Sequence, residues 1–410
     1  MATPISPLPD LSQYNYDIGD TTQVVVKQNA INQEIEQLGQ NINTTIASIN
    51  DDVDFIEGAA QTLDAAQIVH APNSGLPNEA GTAYAADVVT GDGDETPARL
   101  VNNSRLIIYS RDKERQQLEA ASGGLCTIER TTNGQACHMF VLPKTRWEDL
   151  LPGQELGTGV HEAFLENGVE KSELLIGMYM AAEINGEMVS QPRTTGRRSI
   201  DWDESVAAAK SAGFELLGNW EWSAVAFWCM ANGYQPTGNT DFGRSHSDTY
   251  QRGVYDDDSV SNEYTLLGSG PNEWNHNNAA NGIADLVGNR WEWVRGFKMV
   301  DGRIFLAPDN DPSLTDSAWA DSGYDLPGNA DPWSSATQVG ATQQVQRALI
   351  APNGVTDPDG QLYANLSGEH FPLRGGNRFL AAGAGLGALS LGYGRDTSFS
   401  FIGLRLSRLV

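Results

Sequence analysis

Long apolar runs, cysteine and positive charge are all scarce in this 410-residue chain. No apolar run reaches the roughly 18 residues that a membrane-spanning helix needs, so membrane insertion is not expected. The opening stretch, MATPISPLPDLSQYNYD, has neither the basic cluster nor the apolar core of a secretory signal. Exit from a cell is therefore expected by lysis or within a particle. Lys and Arg total 26 against 53 Asp and Glu, a formal net charge of −27. So acidic a chain repels phosphate backbones and anionic membranes, and no nucleic-acid partner is expected. The three cysteines, Cys126, Cys137 and Cys229, have the spacing of neither a disulfide framework nor a CxxC metal site. The histidines, His70, His138, His161, His246, His276 and His370, are scattered, with no pair at metal-ligand spacing. His276 is expected to hydrogen-bond within a loop. There is no nucleophile elbow, phosphate loop or dinucleotide glycine pattern.

What the chain does contain is 43 glycines and 40% hydrophobic residues, a composition suited to loop-rich globular domains. Its length implies two or more of them. Residues 1–20 lack any helical period and read as an extended attachment arm that folds onto a partner. Residues 21–65 carry an apolar stripe, Ile31, Ile35, Leu38, Ile42, Ile46, Ile49, Val53, Ile56, Ala60 and Leu63, flanked by polar residues. Steps of three and four make this a heptad seam with one stutter, and its β-branched content favours a three-stranded coiled coil. Residues 66–139 read as a small β-rich connector. It has an acidic loop at Asp92, Asp94 and Glu95, a strand at Leu106–Tyr109, and a hairpin turning at Asn133-Gly134. A two-residue turn there pairs Cys126 with Val141 and Cys137 with Arg130, leaving the thiols out of register.

Residues 140–410 form the main domain. Strands are expected at Phe140–Pro143 and Leu174–Tyr179. One helix is expected over Asp203–Ala212, capped by Asp203 and ended by Gly213. Another is expected over Asn219–Met230, with Trp222, Val225, Ala226, Cys229 and Met230 toward a core. Long Gly-, Asn- and Asp-rich loops run from Gln235 to Asn281, and loops of that length are usually functional or held by ligands. Gly288-Asn289-Arg290-Trp291-Glu292-Trp293 places two indoles on one strand face and a carboxylate on the other. Buried, that carboxylate needs Arg374, Arg405 or a cation. The chain closes with Arg374-Gly375-Gly376, a small-residue middle, the alternating run Ser398-Phe399-Ser400-Phe401, and Gly403-Leu404-Arg405. Alternation is the mark of a strand with one buried face.

These motifs resemble the formylglycine-generating-enzyme-like branch of the C-type lectin fold, in which a GNVWEW-type signature meets a closing RGG…GFR segment. Also in order are Glu221-Trp222-Ser223-Ala224, Trp274-Asn275-His276 and Asp301-Gly302-Arg303. The resemblance covers about 140–410. It implies an α+β, C-type lectin-like head carried on the trimeric coiled-coil stalk and β-rich connector. It also implies Glu292 as a candidate calcium ligand, an arginine pair being the commoner partner; no other cofactor is implied. The enzymes of this branch oxidise thiols with two cysteines in the closing segment. The equivalent stretch here, Asn377–Ser400, has none, so no enzyme is expected.

The closing segment is similar to the variable region of major-tropism-determinant proteins, trimeric phage receptor-binding proteins. That resemblance implies a receptor-binding face made by Asn377, Phe379, Ala381, Ser390, Gly392, Tyr393, Thr397 and Phe399, with Arg395 and Asp396 in the adjoining loop. Its middle departs from theirs in being rich in Ala, Gly and Leu. The implied protein is a homotrimeric adhesin of the virion tail. Its arm docks on a tail or baseplate protein, and its head binds a host surface protein or glycan. Two alternatives are a structural tail protein packed on its neighbours and an oxidase relative.

Overall fold

The computed structural model describes residues 32–33, 35–37, 39–40, 84–89, 95–101, 105–108, 113–256, 263–336 and 339–410. The chain divides into two compact units, Met1–Arg111 and Asp112–Val410. In the first, β1 (Tyr84–Val89), β2 (Glu95–Val101) and β3 (Arg105–Ile108) form an antiparallel meander. β3 overlaps the strand expected at Leu106–Tyr109. The expected arm and most of the heptad seam lie outside the described residues; within the seam, 32–33, 35–37 and 39–40 are helical.

The second unit opens with α1 (Lys113–Ser122), β4 (Cys126–Arg130), β5 (Ala136–Pro143), α2 (Trp147–Leu150), β6 (Leu165–Glu166) and β7 (Val169–Glu170). Next come β8 (Glu173–Gly177), β9 (Ala181–Ile184), β10 (Glu187–Ser190), α3 (Trp202–Ser211), β11 (Glu215–Leu216) and α4 (Asn219–Ala231). After a long irregular stretch follow β12 (Trp291–Trp293), β13 (Phe297–Val300), β14 (Arg303–Leu306), β15 (Ala320–Asp325) and α5 (Gln343–Arg347). The closing elements are β16 (Leu362–Ala364), β17 (Glu369–His370), β18 (Leu373–Gly375), β19 (Gly385–Leu391), β20 (Ile402–Leu404) and β21 (Leu406–Leu409). Helices and strands are mixed, as expected of an α+β domain.

One five-stranded sheet has the order β11-β21-β8-β5-β4 and is antiparallel throughout. The last strand of the chain thus enters a sheet begun by the β4–β5 hairpin. The expected boundary between 139 and 140 falls inside β5. That strand lies between β8 and β4, and Cys137, Met139, Phe140 and Leu142 are buried on its two faces. The hairpin loop spans residues 131–135, longer than a two-residue turn. Cys126 therefore faces Phe140, and Cys137 faces Glu129. The thiols remain out of register, and all three cysteines are free.

A second sheet has the order β16-β19-β18-β12-β20. In it the Trp-Glu-Trp strand lies between the two ends of the closing segment. Glu292 is opposite Arg374 of β18 on one side and Gly403 of β20 on the other. A third sheet has the order β15-β14-β13-β17.

The helices follow local rules with two departures. The cap of α3 is Asp201, not Asp203. Its side chain accepts from the Glu204 N–H, and Glu204 reaches back to the Asp201 N–H, a capping box. Trp202 is then the first helical residue, and its ring is buried against Phe371 at a centroid distance of 4.6 Å. Helix α4 is buried almost all round, not along one stripe. Trp220, Trp222, Val225, Phe227 and Cys229 belong to one large apolar cluster, while Trp291, Trp293, Leu404 and Leu406 belong to a second.

Candidate functional site

Two buried arginines lock the closing segment to the rest of the head. Arg405 is fully buried and grips Glu292 with both faces of its fork. Its Nε donates to Oε2 at 2.9 Å, and one Nη donates to Oε1 at 2.7 Å. Its other N–H groups donate to the carbonyls of Gly177 (2.8 Å) and Ala284 (2.9 Å). Such bidentate, charge-assisted bonds fix geometry as well as energy. Both oxygens expected as calcium ligands therefore face a guanidinium, and a divalent cation placed there would meet its repulsion. We expect a chelator to leave the melting temperature of the head unchanged. A downward shift restored by calcium would reinstate the metal.

Arg374 is also fully buried, but Asn219 and two carbonyls take the place of a carboxylate. Its Nε and one Nη donate to Asn219 Oδ1 at 3.0 and 2.7 Å, and that Nη also reaches the Leu349 carbonyl at 2.9 Å. Desolvation pulls its pKa down to about 9. The glycines that follow are required by space and conformation. Gly375 has φ +85°, and a Cβ on it would lie 2.3 Å from the Leu286 carbonyl oxygen. At Gly376, with φ +88°, a Cβ would lie 2.6 Å from that of Ala384.

The long stretch after α4 is held internally by buried amides. Asn239 donates to Asn289 Oδ1 at 3.2 Å and accepts from the Gly243 N–H at 2.7 Å. Asn289 in turn bridges both backbone groups of Thr265. This network places the loop at 240–246 beside the closing segment. The Phe242 N–H donates to the Arg378 carbonyl at 2.9 Å, and the Ala381 N–H to that of Thr240 at 3.0 Å.

Across that edge runs a band of rings. Phe379 packs on Phe401 (5.9 Å between centroids), Phe401 stacks on Phe399 (5.1 Å), and Phe399 meets Tyr393 (5.6 Å). Phe379 and Phe399 are each 44% exposed, and Phe242 is 47% exposed. The floor is Tyr264, nearly buried between two guanidiniums, with Arg378 at 4.1 Å and Arg290 at 4.3 Å from its ring centroid. Its hydroxyl donates to Ser400 Oγ at 3.2 Å, tying the floor to the band. Arg378 is itself held by Glu263 at 2.7 Å.

The ten residues singled out from the sequence divide in this setting. Phe379, Ala381, Asp396 and Phe399 are exposed, and Gly392, Tyr393, Arg395 and Thr397 are half-buried. Asn377 and Ser390 are inside, 1% and 3% exposed. Asn377 accepts from the Phe379 N–H and so shapes the turn, while Ser390 lies in the interior strand β19. Arg395 is engaged by Asp203 at 2.7 and 2.8 Å and stacks over Trp202 and Phe371, away from the band. The run Ser398–Phe401 is a loop and not the expected strand; β20 begins at Ile402. Phe242, Tyr264, Arg378 and Phe401 were not singled out. Phe401 was visible as the alternate ring after Phe399, but the others meet the band only through space.

The thiols are buried. Burial pushes Cys126 up to about 11 and Cys137 up to about 12, and also raises Cys229. Cys126 and Cys229 donate to the carbonyls of Asn281 and His276. His276 Nδ1 accepts from the Ile283 N–H at 2.8 Å, the loop role expected of it, and burial lowers its pKa to about 3.

No protein-family model matches the chain, and no curated protein matches it in sequence. Among solved structures it is similar to the Major Tropism Determinant U1 variant, with 12% identity and a TM-score of 0.30 over 82% of this chain and 73% of that one. The P3c variant gives 14% identity and a TM-score of 0.30 over 81% and 73%. PvdO from Pseudomonas aeruginosa gives 16% identity and a TM-score of 0.35 over 69% of this chain and 98% of that one.

Proposed function

We propose that the protein is a tail adhesin of a phage and that its C-type lectin-like head binds a host surface receptor through the aromatic band of the closing segment. The observation that carries this reading is the band itself. Phe379 and Phe399 stand exposed on loops whose backbone is fixed by buried arginines, glycines and amides. Exposed aromatics on a rigid frame are the usual material of binding hot spots, because they bury large area at little entropic cost. The closing segment lacks the cysteine pair of the thiol-oxidising relatives, and the three thiols elsewhere stay protonated at neutral pH, which favours binding over thiol chemistry. The heptad seam would join three chains and multiply a weak site through effective concentration. The arm would dock on a tail or baseplate protein. Purified full-length protein is expected to adsorb to a subset of a panel of bacterial strains and to block phage adsorption on that subset. Adsorption to none of the strains that the parent phage infects would refute the proposal.

A further inference from the structure

A second concave site lies away from the aromatic band. It is a cleft of about 220 Å³ between α3, the segment joining β14 to β15, and Arg395. Two indoles, Trp202 and Trp319, line it with ring centroids 6.2 Å apart and nearly perpendicular planes. The cleft adjoins a shallower depression of about 260 Å³ through Lys210, Glu215 and Pro312, which line both.

Two buried polar atoms on this lining have no partner among the described residues. One is a donor, the Nε1–H of Trp319, a residue only 8% exposed; the other is an acceptor, Oε2 of Glu215. A buried donor or acceptor left unmade costs on the order of 1–3 kcal/mol, so a ligand that completes both gains what the free protein lacks. Two carboxylates at the rim, in contrast, are already matched. Asp203 is held by Arg395 at 2.7 Å, and Asp316 by Lys298 at 2.8 Å. An ionic ligand at Asp203, Arg395 or Asp316 would have to break these pairs, which favours a neutral one on that side of the cleft.

A hydroxyl can accept from the indole N–H and donate to the carboxylate at once. The wall beneath is aromatic and apolar, a surface that suits the C–H face of a ring. The volume is below the roughly 300–1,000 Å³ of sites for drug-sized ligands, and so admits a single ring. We propose that this cleft binds one neutral hexopyranose unit, with the ring against the tryptophans and its hydroxyls on Trp319 Nε1 and Glu215 Oε2. The proposal rests on the adhesin reading for its purpose, since the unit would belong to a surface glycan that the head grips in addition to the band.

The test uses the full chain and a panel of methyl glycosides of glucose, galactose, mannose and N-acetylglucosamine, screened by saturation-transfer NMR and titrated by calorimetry. At least one is expected to bind saturably. Trp319→Phe keeps a ring and removes the N–H, and Ser313→Trp on the exposed rim plugs the mouth. Each is expected to weaken that binding tenfold or more, and Ser313→Trp to do so with an unchanged melting temperature. No saturable binding by any glycoside, or binding indifferent to both variants, would overturn the proposal. So would preferential binding of a short peptide in their place. Saturable glycoside binding without adsorption to any cell would overturn the adhesin reading and leave the cleft assignment standing, whereas adsorption without glycoside binding would do the reverse.

Discussion

Replacing Arg405 by methionine is expected to destabilise the head by about 3–5 kcal/mol, the range found when one partner of a buried ion pair is removed. Three things are lost at once. Glu292 keeps a fully buried carboxylate with no counterion, and the carbonyls of Gly177 and Ala284 lose their donors. Those carbonyls belong to the end of β8 and to the approach to β12, so the loss falls where the two five-stranded sheets are tied together. Against a total stability of roughly 5–15 kcal/mol, this leaves the variant near unfolding at physiological temperature. Denaturant melts of the two single variants and the double variant separate the causes. Glu292→Met alone should also be strongly destabilising, because it leaves the guanidinium unpaired. The double variant Arg405→Met, Glu292→Met should recover much of the loss, since a well-packed apolar pair often replaces a buried ion pair at little cost. Additive losses in the double variant would show that the two side chains act independently and would sink the assigned coupling.

How much of this was legible in the sequence depends on how local the cause is. The helix α4 and the strands around Phe140 and Leu174 rest on apolar period and glycine stops, and they occur where those signals place them. The meeting of the Trp-Glu-Trp strand with both ends of the closing segment was implied by the resemblance, in which an RGG…GFR segment closes on that signature, and the need of a buried carboxylate for Arg374, Arg405 or a cation agrees with it. The cap of α3 was misread by two residues. Asp203 and Asp201 are equally suited by type, but only Asp201 has a glutamate three residues on, Glu204, to complete a capping box. The alternating run at Ser398–Phe401 has the period of a strand but is a loop, and its two rings stack on each other instead. Ser390 was assigned to the surface by alignment of position alone, yet the sheet runs over it on both sides through β16 and β18. Tyr264, Arg378 and Phe242 carry no local mark at all, since their role arises only when the long loop folds back beside residue 378.

The same distinction between surface and floor sets the second large effect. Phe379→Ala and Phe399→Ala are each expected to weaken receptor binding by about 2 kcal/mol or more, roughly thirtyfold, the scale of a hot-spot aromatic. Nearly half of each ring already faces solvent, so truncation creates little cavity, and melting temperatures should stay close to that of the parent. Phe401 differs. It packs between Phe379 and Phe399 and is only partly exposed, so Phe401→Ala should reduce stability and binding together. Ser390→Ala, by contrast, should change neither, although the alignment of positions gives it the same standing as Phe399. Affinity is to be read with a monovalent probe, since avidity in a multivalent format would hide losses of this size. A set in which Ser390→Ala loses binding while Phe379→Ala and Phe399→Ala retain it would place the contact elsewhere on the head. Equal melting temperatures with a thirtyfold spread in affinity would instead assign the exposed band to recognition and the buried arginines to the frame that presents it.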